Sequence, residues 1–269
     1  MNSKEKDRAS FRAKINRQRI SPNLGDYSYP VLRKSLAAFC FFRRVLANLP
    51  GAKVLDIGCG FRPWLALFPE GTVEYTGVDS DRDASEADVA GRAEELPFGD
   101  SCFDAVICSE VLEHVWDLEK ALSEIRRVAK DGALLYVTTP FLFPVHGLPD
   151  DYRRLTGRFY LRNFGGDEVL WLKESNSSAA MPFLAVNFFL ESTPFAAFGP
   201  IKLPVYAFFN MAALAADFAT KALVALIGER FRQSFYLMPA GYSAVIRLKK
   251  SGQVQPGTAS DSSLSQESR

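Results

Sequence analysis

Short apolar runs, each closed by a glycine turn or an acid, set the architecture of this chain. Val54, Leu55 and Ile57 form a buried-strand pattern that runs into Gly58-Cys59-Gly60. Residues 73–79 are a second β-rich run that ends on Asp79. Residues 101–109 and 133–139 read as two further strands, the last closed by Pro140. Between them Leu118, Leu122, Ile125 and Val128 recur at helical spacing, and Asp131-Gly132 reads as the helix stop. Strands alternating with helices through short loops predict an α/β fold, a doubly wound parallel sheet with helices on both faces. A ligand in such a sheet lies beyond the carboxyl ends of the strands, where these motifs fall.

The first strand's turn carries the most chemistry. Gly58 and Gly60 allow a tight turn and close approach of a ligand to bare backbone. A dinucleotide loop would continue to a third glycine, but that position holds Pro63. Asp56, two residues before Gly58, would repel a pyrophosphate and suits a cofactor with a cationic amino group and a sulfonium. Asp79 follows Gly60 by 19 residues, a spacing that suits hydrogen bonds to two ribose hydroxyls.

The Asp-x-Gly-x-Gly loop after a strand resembles that of the class I S-adenosylmethionine-dependent methyltransferases. The segments Ser109-Glu110-Val111-Leu112-Glu113-His114-Val115 and Glu124-Ile125-Arg126-Arg127-Val128-Ala129-Lys130-Asp131-Gly132-Ala133 bring it closest to the UbiE/UbiG-like, methyltransferase type 11, branch. The likeness covers residues 50–145. It implies a Rossmann-like seven-stranded sheet, mostly parallel, with an antiparallel last strand in residues 242–248 and a sixth strand in 166–173. Residues 88–98 resemble the family's third-strand segment, which borders the adenine. S-adenosylmethionine is the implied cofactor, held by Asp56, Gly58, Cys59, Gly60, Asp79, Ser80, Ala93, Glu94, Ser109 and Glu110.

Bulk composition adds limits. The net charge of +1 over 269 residues gives no global field to recruit nucleic acid. Cys40, Cys59, Cys102 and Cys108 lack metal-type spacing and read as reduced core thiols of a cytoplasmic protein. The first residues lack the apolar core of a secretory leader. Residues 1–25 read as a basic tail, 26–250 as the methyltransferase domain, and 251–269 as a disordered tail. An apolar helical insertion is expected at about 185–230. Its run 203–227 has the length of a membrane span. Asn210, Asp217 and Lys221 lie on one stripe, however, which predicts an amphipathic helix acting as a lid or dimer surface. Peripheral contact with the inner face of a membrane through 195–227 is a further expectation, because substrates in this branch are often lipid-linked.

An activated methyl donor needs an aligned acceptor, and a base only where the acceptor is a weakly acidic hydroxyl. The two histidines, His114 and His146, both fall at the expected active edge. His146 is the favoured catalytic base, with His114 and Asp151 as further catalytic candidates. Residues 146–156 look like a segment of methyltransferases from bacterial glycan gene clusters, and their acids and arginines suit sugar hydroxyls or phosphate. Asp150 or Asp151 could equally cap a helix. The expected acceptor is thus a small molecule, glycan or lipid-linked intermediate, methylated on oxygen without a metal. The alternative is that Glu110, Glu113 and His114 converge on one helix face and bind a metal with His146. Small-RNA 2′-O-methyltransferases and some ubiquinone-pathway enzymes carry that pattern. A binding protein that keeps the fold without turnover is the remaining alternative.

Overall fold

The computed structural model describes residues 3–82, 85–198 and 201–250. The expected tail at 251–269 lies outside them. Seven strands form one sheet in the order β3-β2-β1-β4-β5-β7-β6. They are β1 (Ala52–Ile57), β2 (Val73–Asp79), β3 (Val89–Ala90), β4 (Phe103–Ser109), β5 (Ala129–Pro140), β6 (Glu168–Glu174) and β7 (Gly241–Arg247). The first five pair in parallel, and β7 inserts antiparallel between β5 and β6. Strand order steps outward from β1 to β2 and β3 on one side and to β4 and β5 on the other, a switch point that opens a crevice at the carboxyl ends of β1 and β4.

Period-two alternation feeds two cores. Leu55, Ile57, Val106, Cys108, Leu135 and Val137 face one side, where α3 (Leu118–Val128) and α4 (Gly157–Phe164) pack. Val54, Ala105, Ile107, Leu134 and Tyr136 face the other, against Ala38, Phe39 and Phe42 of α2 (Tyr29–Leu46). The aromatic stack of Phe39 on Trp64, at 4.4 Å between centroids, anchors the turn after the glycine loop.

The glycine loop runs into a 3-10 turn, Pro63–Leu67, after Arg62 adopts a left-handed φ of 52° before Pro63. Two local expectations are corrected. Asp131-Gly132 does not end α3. That helix stops at Val128, and β5 already runs through Gly132 at φ 76°. Residues 110–114 are not an α-helix either. Glu110 sits at φ 57° and only Leu112–His114 form a 3-10 turn, so 110, 113 and 114 do not share a helical face.

The basic N-terminal segment is helical, α1 (Ser3–Ile20). Long-range polar contacts hold it. Arg17 and Gln18 bond the buried Asp26, Asn16 Nδ2 donates to the Phe61 carbonyl at 3.0 Å, and Arg12 pairs with Glu86. Burial would raise the Asp26 carboxyl, but these hydrogen bonds win and lower it.

The apolar insertion contains α5 (Met181–Glu191) and one long helix, α6 (Lys202–Ile227). Two of the three polar residues, Asn210 and Asp217, are turned inward, whereas Lys221 is exposed and pairs with Asp217 at 3.2 Å. Asn210 is fully buried and donates to the carbonyls of Leu24 and Asp26 at 2.8 and 2.7 Å. Asp217 accepts from the Ser177 amide at 2.7 Å and pairs with Lys34 at 3.0 Å. Phe208, Met211, Phe218 and Leu226 face outward. α6 is long and apolar enough to cross a membrane by length and composition alone. To do so it would leave Asp217 and Asn210 without these partners, a cost of several kcal/mol. The protein is therefore expected to be released from liposomes by alkaline carbonate. Retention in the floated fraction after extraction would make α6 a span.

Candidate active site

Backbone geometry builds the cofactor loop. Gly58 has φ 65°, and a Cβ there would lie 2.5 Å from Val111 Cγ2. Gly60 has φ 51°, and nothing lies within 4 Å of its Cβ position, so the loop's outer face is open to a ligand. The Gly58 amide donates to the Val78 carbonyl at 2.8 Å, tying the loop to β2. The Gly60 amide donates to Asp79 Oδ2 at 3.0 Å, and the Asp81 amide donates to Asp79 Oδ1 at 3.0 Å. The sequence-chosen acid thus stands at the loop with lone pairs to spare. This open cradle of glycine backbone beside an acceptor carboxylate fits an adenosyl cofactor. Gly58→Ala is expected to cost about 1–2 kcal/mol of stability, from the left-handed backbone and the Val111 contact. Chemical denaturation of Gly58→Ala, Val111→Ala and the double variant separates the two: coupling between the sites measures the steric share.

The other cofactor candidates are placed as follows. Asp56 is buried under the loop, where the Tyr75 hydroxyl donates to it, and burial pushes its carboxyl up to about 7. The Cys59 thiol is buried, 2.8 Å from where a Cβ on Gly77 would lie. Burial raises it to about 12, so it is a packing group and only its backbone can meet a ligand. Ser80 is exposed, and Ala93 is part of the core. Glu94 accepts from the Trp116 amide at 3.2 Å. Ser109 Oγ bonds Thr138 Oγ1 at 2.9 Å.

Glu110 lines a cavity of about 140 Å³ at the same sheet edge, with Thr138, Tyr242 and Ser243 from the strand ends. The Glu110 carboxyl is raised by burial and by the neighbouring Glu113 charge. Arg19 and Tyr27 from the N-terminal region also line it. Sequence reasoning missed both: Arg19 lay in the segment read as a tail, and Tyr27, at the start of the expected domain, was not singled out.

The three catalytic candidates come together, but behind Phe143 rather than on the cavity wall. Phe143 lines the cavity on one side and meets the His146 ring edge-on at 5.3 Å. The rings of His114 and His146 lie 4.9 Å apart, and each Nε2 is 3.7 Å from Glu113 Oε1. The Glu113 side chain is fully buried. Asp151 is not a helix cap. It is clamped by Arg154 and accepts from the His146 amide at 2.9 Å. The guanidinium holds its carboxyl well below the usual carboxylate range. The Glu113 carboxylate, ahead of the opposing effect of burial, raises the His146 imidazole. Glu110 is not part of this group.

Comparison with known proteins agrees with the geometry. Residues 55–137 match the Methyltransf_11 family, described as a methyltransferase domain. A Mycolicibacterium smegmatis protein named as a probable S-adenosylmethionine-dependent methyltransferase is 29% identical over 133 residues, 46% of this chain and 50% of that one. The ubiquinone/menaquinone biosynthesis C-methyltransferase UbiE of Vibrio cholerae is 33% identical over 124 residues, 38% of this chain and 48% of its own length. The ubiquinone biosynthesis O-methyltransferase of Alkalilimnicola ehrlichii is 34% identical over 117 residues, 37% and 46% of the two chains. The YcgJ protein of Bacillus subtilis superposes with a TM-score of 0.45 at 16% identity, covering 78% of this chain and 95% of that one. The chain spans about half the length of the three curated relatives named here.

Sheet order, glycine loop and family match define a class I methyltransferase domain. The relatives that match it include UbiE-like and other S-adenosylmethionine-dependent methyltransferases, and S-adenosylmethionine is the cofactor that this domain implies.

Proposed function

We infer that this chain transfers a methyl group from S-adenosylmethionine to an oxygen of a small-molecule, glycan or lipid-linked acceptor. The observation that carries this reading is the grouping of Glu113, His114 and His146 behind Phe143, which with Glu110 lines the cavity. A hydroxyl acceptor has a proton to lose that such a polar cluster can take, whereas an already basic nitrogen has no need of it. Similarity to both C- and O-methyltransferases leaves this choice to the site. The bound cofactor supplies a methyl group already activated on sulfonium. The protein's share is to seat the adenosyl group on Gly58, Gly60 and Asp79, to align the acceptor in the cavity, and to exclude water with α1 and Phe143. The inner face of a membrane is the proposed source of lipid-linked acceptors, met through the outward apolar side of α6 without insertion.

The test is transfer of isotope-labelled methyl from S-adenosylmethionine by the full chain to a panel of hydroxylated quinone precursors, glycans and polyprenyl-linked sugars. A single-stranded RNA carrying a free 3′-terminal ribose is one arm. Labelled methyl ether with equimolar S-adenosylhomocysteine is expected from one of the first three. Label fixed only on carbon or nitrogen overturns the oxygen assignment. Tight cofactor binding with no transfer to any arm supports a binding protein instead.

A further inference from the structure

Among the described residues that line the cavity of about 140 Å³, Arg19 is the one cation and Glu110 the one acid. Arg19 makes no hydrogen bond or ion pair with Glu110 or with any other described residue. The rest of its helix is fixed in place. Arg17 and Gln18 hold Asp26, Asn16 holds the Phe61 carbonyl, and Arg12 pairs with Glu86. α1 therefore presents Arg19 over the cavity without using it to dock. The hydroxyls of the wall are tied to the framework. Thr138 Oγ1 bonds Ser109 Oγ at 2.9 Å, and Ser35 Oγ bonds the Tyr136 hydroxyl at 2.8 Å. A guanidinium has five N–H donors in a planar fork and no acceptor, so its natural partner is an oxyanion. Glu110 is a poor one. Burial and the Glu113 charge raise its carboxyl toward the uncharged form, and the Arg19 charge opposes this more weakly.

We propose that Arg19 grips an anionic group of the acceptor, so that the chain methylates an acid: a carboxylated ring or sugar, or a phosphate-linked headgroup. The methylation rests on the methyltransferase reading; the anion binding does not. Position assigns Arg19 to the acceptor rather than to the cofactor. The cavity is walled by the end of β5, the start of β7 and Ser175 beyond β6, and Gly58, Gly60 and Asp79 do not line it. Its size is close to that of an engineered cavity of about 150 Å³ that holds one benzene ring. It therefore takes the head of an acceptor and leaves any tail outside. Tyr27, Phe143 and Tyr242 contribute flat walls, which suit a ring. Arg19 is half-buried, so salt screens an ion pair there less than one at the surface. Uronic-acid glycans and phosphate-linked lipids are thereby selected over neutral glycans. Arg19 holds the acceptor and takes no part in moving its proton.

The test uses the full chain saturated with S-adenosylhomocysteine at fixed ionic strength. Calorimetry follows its titration with benzoate, phenyl phosphate and the neutral benzyl alcohol. At least one anion is expected to bind saturably and roughly 10- to 100-fold tighter than benzyl alcohol. Preference for benzoate assigns a carboxylated acceptor, and preference for phenyl phosphate a phosphate-linked one. Arg19→Ala should erase the advantage of the anion, and Arg19→Lys, which keeps the charge without the fork, should keep part of it. If Arg19→Ala fails to fold by circular dichroism, the partial loss in Arg19→Lys carries the test. On an acidic acceptor from the transfer panel, Arg19→Lys should raise KM and leave kcat nearly unchanged. No saturable anion binding, equal binding of anion and benzyl alcohol, or unchanged anion affinity in both variants overturns the proposal. S-adenosylhomocysteine and methylthioadenosine, which lacks the methionyl carboxylate, are titrated into wild type and Arg19→Ala without probe. A loss confined to S-adenosylhomocysteine places Arg19 on the cofactor and also overturns the proposal. A wild-type chain that binds benzoate or phenyl phosphate but not S-adenosylhomocysteine sinks the methyltransferase reading and spares the anion site.

Discussion

Asp79→Ala is expected to weaken S-adenosylmethionine binding by about 1–3 kcal/mol, roughly 5- to 150-fold in Kd. The carboxylate already accepts from the amides of Gly60 and Asp81, one on each oxygen. An ionised carboxylate offers about four lone-pair sites, so one on each oxygen remains for a ribose hydroxyl. Removing the side chain costs these charge-assisted bonds and also frees the Gly60 amide, which loosens the loop. Asp79→Asn separates the two effects, because the amide oxygen can still take one backbone bond while the charge is gone. Its affinity should fall between wild type and Asp79→Ala. Titration calorimetry reads all three. Unchanged affinity in Asp79→Ala, together with binding of NAD, would remove the cofactor assignment.

The features that were legible in sequence are those whose physics is local. A strand buried on both faces reads as a continuous apolar run, and residues 54–57, 103–108 and 133–139 become β1, β4 and β5. The glycine loop and Asp79 were legible because positive φ and a fixed spacing leave a mark in residue type. The sixth and seventh strands came from family likeness, since antiparallel insertion has no local signature. Where local rules misled, longer-range contacts had decided. Asp131-Gly132 looks like a helix stop, but it falls inside β5, where the register against β4 shifts between the pairs at Ala129 and Leu134. Glu110 to His114 has helical spacing, yet the Glu110 amide donates to the Thr138 carbonyl and the chain bends there in the left-handed region.

The N-terminal segment and α6 show the same limit from opposite directions. α1 is basic with few apolar residues, so nothing in its periodicity announces a docked helix. Its docking depends on Asp26, Phe61 and Glu86, which only the fold brings near. In α6 the polar stripe was visible, but amphipathicity assigns polar residues to water by default. Here Asn210 and Asp217 of that stripe are satisfied internally by Leu24, Asp26, Ser177 and Lys34, and the apolar side is left outside. The histidine cluster was half legible. The sequence reading set Glu110, Glu113, His114 and His146 together, and the structure groups Glu113, His114 and His146 while the bend at Glu110 leaves that residue out.

His146→Ala is expected to lower turnover by about 10²–10⁴-fold while S-adenosylmethionine affinity stays within about twofold. The contacts of His146 are Glu113, Asp151, His114, Phe143 and Pro144, and none belongs to the glycine loop or to Asp79. Its removal therefore acts on the acceptor and its proton, not on the cofactor. On the alternative reading, with a metal in this cluster, chelation of the wild-type chain should reproduce most of the loss, and added divalent ion should restore wild type but not His146→Ala. If chelation changes nothing and His146→Ala still falls, the imidazole takes the acceptor proton directly. Its raised pKa beside Glu113 would then place the active, neutral form at higher pH, and the rate would rise with pH through that value. Full activity in His146→Ala on the true acceptor would remove both mechanisms, and alignment of acceptor and methyl group alone would have to supply the rate.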